Sequence, residues 1–190
     1  MKATFISQLA DARPNLIIRE YGDIQDKEAG KRFGVRLQKE FAYWAWRACA
    51  IANVAMILAT DGLLQETLYE LICEALLLDG YAFKNHKGKE DIGWKHEVLC
   101  KMLEKRGYAS RRGRVSLKAL QRFVERGCYV IASVKSVRGG HMVLVTDTNS
   151  TSITYNDPYT YKNAGGEQKQ ISLERFNEMF LERGVIAWKQ

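Results

Sequence analysis

Three residues of this sequence have the types that nucleophilic acyl chemistry needs: Cys49 in RACAIANVAMIL, His141 in GGHMVLVTD and Asp157 in YNDP. A cysteine attacks as its thiolate, which a helix N-terminus or a neighbouring imidazole favours over the thiol. Cys49 stands where the aromatic and polar stretch FAYWAWRA gives way to CAIANVAMILA, in which Asn53 is the one polar side chain. A helix apolar nearly all round must be buried. Cys49 is therefore expected on the first turn of a buried helix, facing the partial positive charge of unpaired backbone N–H groups. Viewed alone, it reads more readily as a small core residue, so its partners decide.

His141 follows Gly139-Gly140 at the entry of HMVLVTD, a run apolar enough for an interior strand. The two glycines allow another backbone or a substrate to come close. Asp157 ends SITYND, and Pro158 biases it toward an extended backbone, which constrains the direction of its carboxylate. If the two strands are neighbours, the carboxylate can orient the imidazole and the imidazole can take the thiol proton, which is the division of labour of a catalytic triad. Each residue has a structural alternative: a satisfied core histidine, or a turn-initiating Asn-Asp-Pro.

Other reactive side chains point less clearly to chemistry. His96 and Cys100 have the i, i+4 spacing of metal ligands, but HEVLC lacks a second histidine and no paired cysteines complete a tetrahedron, so no metal is assigned. Trp94 and His96 are expected to anchor and expose opposite sides of their helix, and His86 in KNHKGK is expected to face solvent. Cys73, Cys100 and Cys128 sit among apolar residues as small hydrophobes. Four widely spaced cysteines do not form a dense disulfide framework, so free thiols in a reducing compartment are expected.

The elements that must position these residues read as α+β. Helices are expected over Cys49 to Ala59 with a stop at Asp61-Gly62, over Leu64 to Leu78, over Gly93 to Lys105, and from an N-cap at Ser116 to Arg126. The second half changes character: CYVIASV (128–134), HMVLVTD (141–147) and SITYND (152–157) read as successive antiparallel strands. A helix from Ser172 to Leu181 and a strand GVIAWKQ close the chain. Helices first and strands later argue against a doubly wound parallel sheet. LIIREY (16–21) is a plausible strand and Asp23 to Arg32 a helix or loop; no role is readable for this lead-in, residues 1–40, ahead of a body spanning 41–190.

At 190 residues, 46% apolar and 27% charged, the chain has the balance of a soluble globular protein, and its two prolines leave no obvious linker, so one domain is expected. No stretch approaches the roughly eighteen apolar residues of a membrane span, and the start meets Asp11 and Arg13 before an apolar signal core develops, so a cytoplasmic location is expected. The net charge of +7 is dispersed, and the Arg106 to Arg114 cluster has only Tyr108 interleaved, without a nucleic-acid reader motif. Oligomeric state is not readable.

RACAIANVAMIL, GWKHEVLCKMLEKRGY, GGHMVLVTD and YNDP, in that order and at those separations, resemble the branch of papain-like cysteine peptidases related to bacteriocin-leader-processing peptidases. The resemblance spans roughly Tyr43 to Tyr159 and extends more loosely to the C-terminus. It implies a papain-like fold, no cofactor, a peptide or protein substrate, and Cys49, His141 and Asp157 as nucleophile, base and orienting carboxylate. Two positions depart from the family pattern: Tyr43 stands where a glutamine usually serves the oxyanion hole, six residues before the cysteine, and Ala50 replaces the glycine that commonly follows it. Tyr43 through its hydroxyl, or Gln38, is the candidate replacement donor beside the Cys49 backbone N–H. The alternatives are a peptide-binding relative with impaired turnover and an acyl transferase or transpeptidase using the same three residues.

Overall fold

The computed structural model describes residues 2–10, 27–83, 92–136, 139–159 and 165–190. The strand expected at 16–21, residues 23–26 and His86 lie outside the described residues. The helical half contains α1 (Lys27–Phe33), α2 (Gln38–Ala45), α3 (Cys49–Thr60), α4 (Leu68–Leu77) and α5 (His96–Glu104), with β1 (Tyr81–Ala82) and β2 (Gly93–Trp94) paired as a small ribbon. There follow β3 (Tyr108–Arg114), α6 (Leu117–Glu125), β4 (Tyr129–Ser136), β5 (Gly139–Thr148), β6 (Ser152–Asn156), β7 (Lys169–Ser172), α7 (Leu173–Met179) and β8 (Phe180–Lys189). The six longer strands form one antiparallel sheet in the order β3-β8-β4-β5-β6-β7. The fold is α+β.

Buried side chains of α3, α4 and α5 join Ile131, Leu144 and Val185 in a core on one face of this sheet. Leu120 and Val124 of α6 and Phe176 of α7 cover Val143, Val145 and Ile186 on the other. Helix α3 is enclosed as its composition requires: Ile51, Val54, Met56, Ile57 and Leu58 are all fully buried. At roughly 1.5–3 kcal/mol for each large apolar side chain, that burial dominates what holds α3 in place. At its far end the Asp61 carboxylate accepts the hydroxyls of Tyr108 and Tyr129 and pairs with Lys189, which ties the helix to the sheet.

Boundaries differ from the sequence reading where a cap or a pairing intervenes. Helix α4 starts late because Thr67 and Glu70 form a reciprocal capping box. Helix α5 starts at His96 because Gly93 and Trp94 are engaged with Ala82 and Tyr81. Ser116 caps α6 as expected, accepting from the Ala119 N–H. Helix α7 ends at Met179, and Phe180 already belongs to β8, where it pairs with Val134. Five elements were not expected at all: α2, β1 and β2 of the small ribbon, β7, and β3, the last built from the basic cluster. An edge strand whose exposed arginines discourage further pairing does not show the alternation of a half-buried one.

Among the described residues no single helix is long and apolar enough to cross a membrane; α2 and α3 pass that test only as a pair bent by 85°. That bend turns the chain at residues 46–48, immediately before the start of α3.

Candidate active site

Cys49 is the first residue of α3 and is partly exposed although the residues after it are buried. Ala48 at the N-cap contributes no side-chain hydrogen bond to the first turn. The leading backbone N–H groups therefore lack the usual side-chain acceptor and are suited to stabilise negative charge at or beside the sulfur. The other three cysteines are also free thiols, and in each burial raises the pKa first, whatever nearby groups then add or subtract.

His141 and Asp157 meet because of register. Leu144 pairs with Asn156 across β5 and β6. One step further places Asp157 opposite Val143, and His141, two residues before Val143, lies on the same face as its diagonal neighbour. Their side chains are only 14% and 18% exposed, and His141 Nε2 lies 2.7 Å from Asp157 Oδ1. A carboxylate only accepts, so Nε2 carries the proton of that bond. This leaves Nδ1 as the ring nitrogen not engaged by Asp157, and Cys49 is near enough to the imidazole to act on its pKa.

Burial by itself would push the His141 pKa down. The hydrogen bond with Asp157 and the interactions with Cys49 and the Asp157 charge overcome it and raise the imidazole to about 10. Burial likewise would raise Asp157, but its bond to His141, the imidazolium charge and the Tyr159 backbone N–H at 3.1 Å hold its carboxyl below its usual value. The two partners shift in the directions an imidazolium–carboxylate pair requires. Tyr159 stands edge-on to the imidazole with ring centroids 6.3 Å apart, and the Trp46 ring lies 5.7 Å from that of Tyr159.

Two polar residues anchor the site from behind. Asn53, fully buried one turn after Cys49, donates through Nδ2 to the carbonyls of Cys49 and Met142, both at 2.9 Å. Gln8 of the lead-in donates through Nε2 to the Ala45 carbonyl at 2.7 Å and through its backbone N–H to the Pro158 carbonyl at 2.9 Å. The segment for which the sequence suggested no role thus ties the end of α2 to the residue after Asp157. Asn53 was visible as the lone polar side chain of its helix; nothing in the sequence marked Gln8.

The oxyanion candidates differ in what the structure places. Tyr43 sits on α2 with its ring under the Arg47 guanidinium at 3.9 Å and edge-on to Trp44, while Arg47 also donates to the Tyr43 carbonyl. Gln38 opens α2, at the far end of that helix from Cys49, and its side chain lies outside the described residues. His96 corrects an expectation: it is not turned to solvent but bonded through Nε2 to Ser133 of β4 at 2.7 Å, because α5 packs that face against the sheet. Trp94 is buried as expected and donates to the Arg47 carbonyl.

No family model and no curated protein matches the sequence. Solved structures do. A putative C39-like peptidase from Bacillus anthracis superposes with a TM-score of 0.58 at 14% identity, over 76% of this chain and 90% of that one. The peptidase domain of Streptococcus ComA, a bifunctional ABC transporter of a quorum-sensing pathway, gives 0.55 at 15% identity, over 76% and 93%. A double glycine motif protease from an AMS/PCAT transporter, solved with its leader peptide, gives 0.53 at 17% identity, over 75% and 84%. The fold is that of these papain-like peptidase domains, as the resemblance in the sequence implies.

Proposed function

We propose that this protein is a papain-like cysteine peptidase in which Cys49 is the nucleophile, His141 the general base and acid, and Asp157 the residue that orients and charges the imidazole. The observation that carries this reading is the convergence on His141: Asp157 Oδ1 lies 2.7 Å from Nε2, and Cys49, the first residue of a helix, is close enough to the imidazole to contribute to its raised pKa. Sulfur attacks the substrate carbonyl carbon, and the carbonyl π electrons move to oxygen. The resulting oxyanion faces the Cys49 backbone N–H, with Tyr43 supplying the second donor through its hydroxyl. As the intermediate collapses, the C–N bond breaks, His141 gives its proton to the departing amine, and a thioester remains. Water then attacks the thioester while His141 takes its proton; the C–S bond breaks and the thiolate returns.

The substrate is a peptide, and the leader-bound relative suggests an exported peptide's leader segment cut after paired glycines. The test is incubation of the protein and its Cys49→Ala variant with a panel of peptides carrying internal Gly-Gly, read by mass spectrometry, alongside covalent capture of Cys49 by a peptide aldehyde. Cleavage and capture that vanish with the thiol support the reading. Capture of neither peptide nor aldehyde by the wild type would sink it.

One observation favours a second reading, in which the cleft grips peptide and turns it over slowly or transfers the acyl group to another amine or thiol. Tyr43, at the position of the family's glutamine, has its ring stacked on Arg47. Product analysis separates hydrolysis from transfer, and slow turnover with intact aldehyde capture would support the binding role.

A further inference from the structure

Cys49 and His141 come from elements distant in sequence, and apolar packing of α3 on the sheet does not by itself fix one backbone relative to the other. A greasy interface permits small sliding, whereas a directed hydrogen bond does not. Asn53 supplies such a bond at the place where it matters. Its Nδ2 donates at 2.9 Å to the carbonyl of Cys49, the nucleophile's own residue, and at 2.9 Å to the carbonyl of Met142, the residue after His141.

The identity of the side chain fits this task and little else. An amide nitrogen carries two hydrogens and serves two acceptors at once; a hydroxyl carries one and a carboxylate none. The orientation is also fixed, because turning the amide over would set Oδ1 against both carbonyls. Oδ1 itself is buried and has no hydrogen-bond partner among the described residues, an unfavourable arrangement in a helix otherwise built of apolar side chains. A residue kept only for packing would not carry that cost, since an aliphatic side chain of the same size would avoid it.

We propose that Asn53 is a positioning residue that fastens the first turn of α3 to β5 and so sets the distance between the Cys49 thiol and the His141 imidazole. This rests on the thiol chemistry proposed above. Losing the bond to Met142 lets the helix and strand separate slightly, and small misplacements of reacting groups cost up to about a hundredfold in rate.

The experiment compares full-length wild type, Asn53→Ser, Asn53→Ala and His141→Ala. Serine keeps one donor, which on a helix bonds the carbonyl four residues back, here that of Cys49, and leaves Met142 unserved. Cys49 alkylation by iodoacetamide is followed by mass spectrometry from pH 5 to 10, with circular dichroism to establish folding. The expected result is that folded Asn53→Ser alkylates Cys49 about tenfold more slowly at neutral pH, with a profile moved toward that of His141→Ala. Folded Asn53→Ala is expected to move further in the same direction. A folded serine or alanine variant with the wild-type profile overturns the inference, and so does failure of both to fold, which would make Asn53 a residue of the core alone. If the wild-type profile is itself indifferent to His141, the thiol reading fails; if it depends on His141 and the folded variants match wild type, only the Asn53 inference fails.

Discussion

His141 and Asp157 meet through a diagonal across β5 and β6, Nε2 to Oδ1 at 2.7 Å, one residue beyond the point where the ladder between those strands ends at Leu144 and Asn156. Two shifts of opposite direction follow from that contact, and they set the pH behaviour. His141 is raised, to about 10, so its contribution to stability is full below the unfolded value of roughly 6.5 and is lost as pH rises through about 10. Asp157 is lowered, so its contribution is present above roughly pH 4 and is lost as pH falls through its folded value. The wild type is expected to lose denaturant stability between about pH 6.5 and 10 more steeply than His141→Gln. Parallel curves for the two proteins over that range would contradict the pairing.

Replacing Asp157 by asparagine keeps a hydrogen-bond acceptor for Nε2 but removes the charge that holds the imidazolium. The basic limb of the activity profile is expected to move to lower pH, and kcat/KM to fall by about a hundredfold, within the range of general acid–base contributions. An unmoved basic limb in steady-state kinetics would argue that another group, and not Asp157, charges the ring.

Tyr43→Phe removes one hydroxyl and leaves the ring under Arg47. If that hydroxyl serves the oxyanion, kcat is expected to drop by about a hundredfold with KM little changed, the size of effect typical of one lost donor. Equal kcat for both proteins would assign Tyr43 to packing of the cleft wall and place the second donor elsewhere.

Much of this arrangement was legible in the sequence because it is local. The apolar run after Cys49 announced a buried helix, Ser116 announced a cap, and the β-branched runs around His141 and before Asp157 announced neighbouring strands. Helix α2 was missed although Phe41, Trp44 and Ala45 stand at helical spacing and are buried, because Leu37, its N-cap, supplies no capping side chain to mark its start. Strand β3 was hidden because most of it is exposed at a sheet edge. The hardest features are those whose two halves lie far apart in the chain. A lone asparagine in an apolar helix is visible, but its partner 89 residues on is not, and the link from Gln8 to Pro158 exists only once the sheet has formed.

The far end of α3 offers a test of stability separate from chemistry. Asp61→Ala leaves the hydroxyls of Tyr108 and Tyr129, both buried residues, without their shared acceptor and Lys189 without its partner. A loss of about 2–4 kcal/mol in chemical denaturation is expected, in line with breaking a buried charged network. A loss below about 0.5 kcal/mol would mean that water replaces the carboxylate at little cost.

The most direct test of the central claim is the pH dependence of Cys49 alkylation in the wild type and in His141→Ala. An activated thiol predicts a wild-type profile that departs from the titration of an ordinary cysteine and returns to it when the imidazole is removed. A wild-type rate that simply follows ordinary thiol ionisation, unchanged in His141→Ala, would contradict the assignment and return Cys49 to the core.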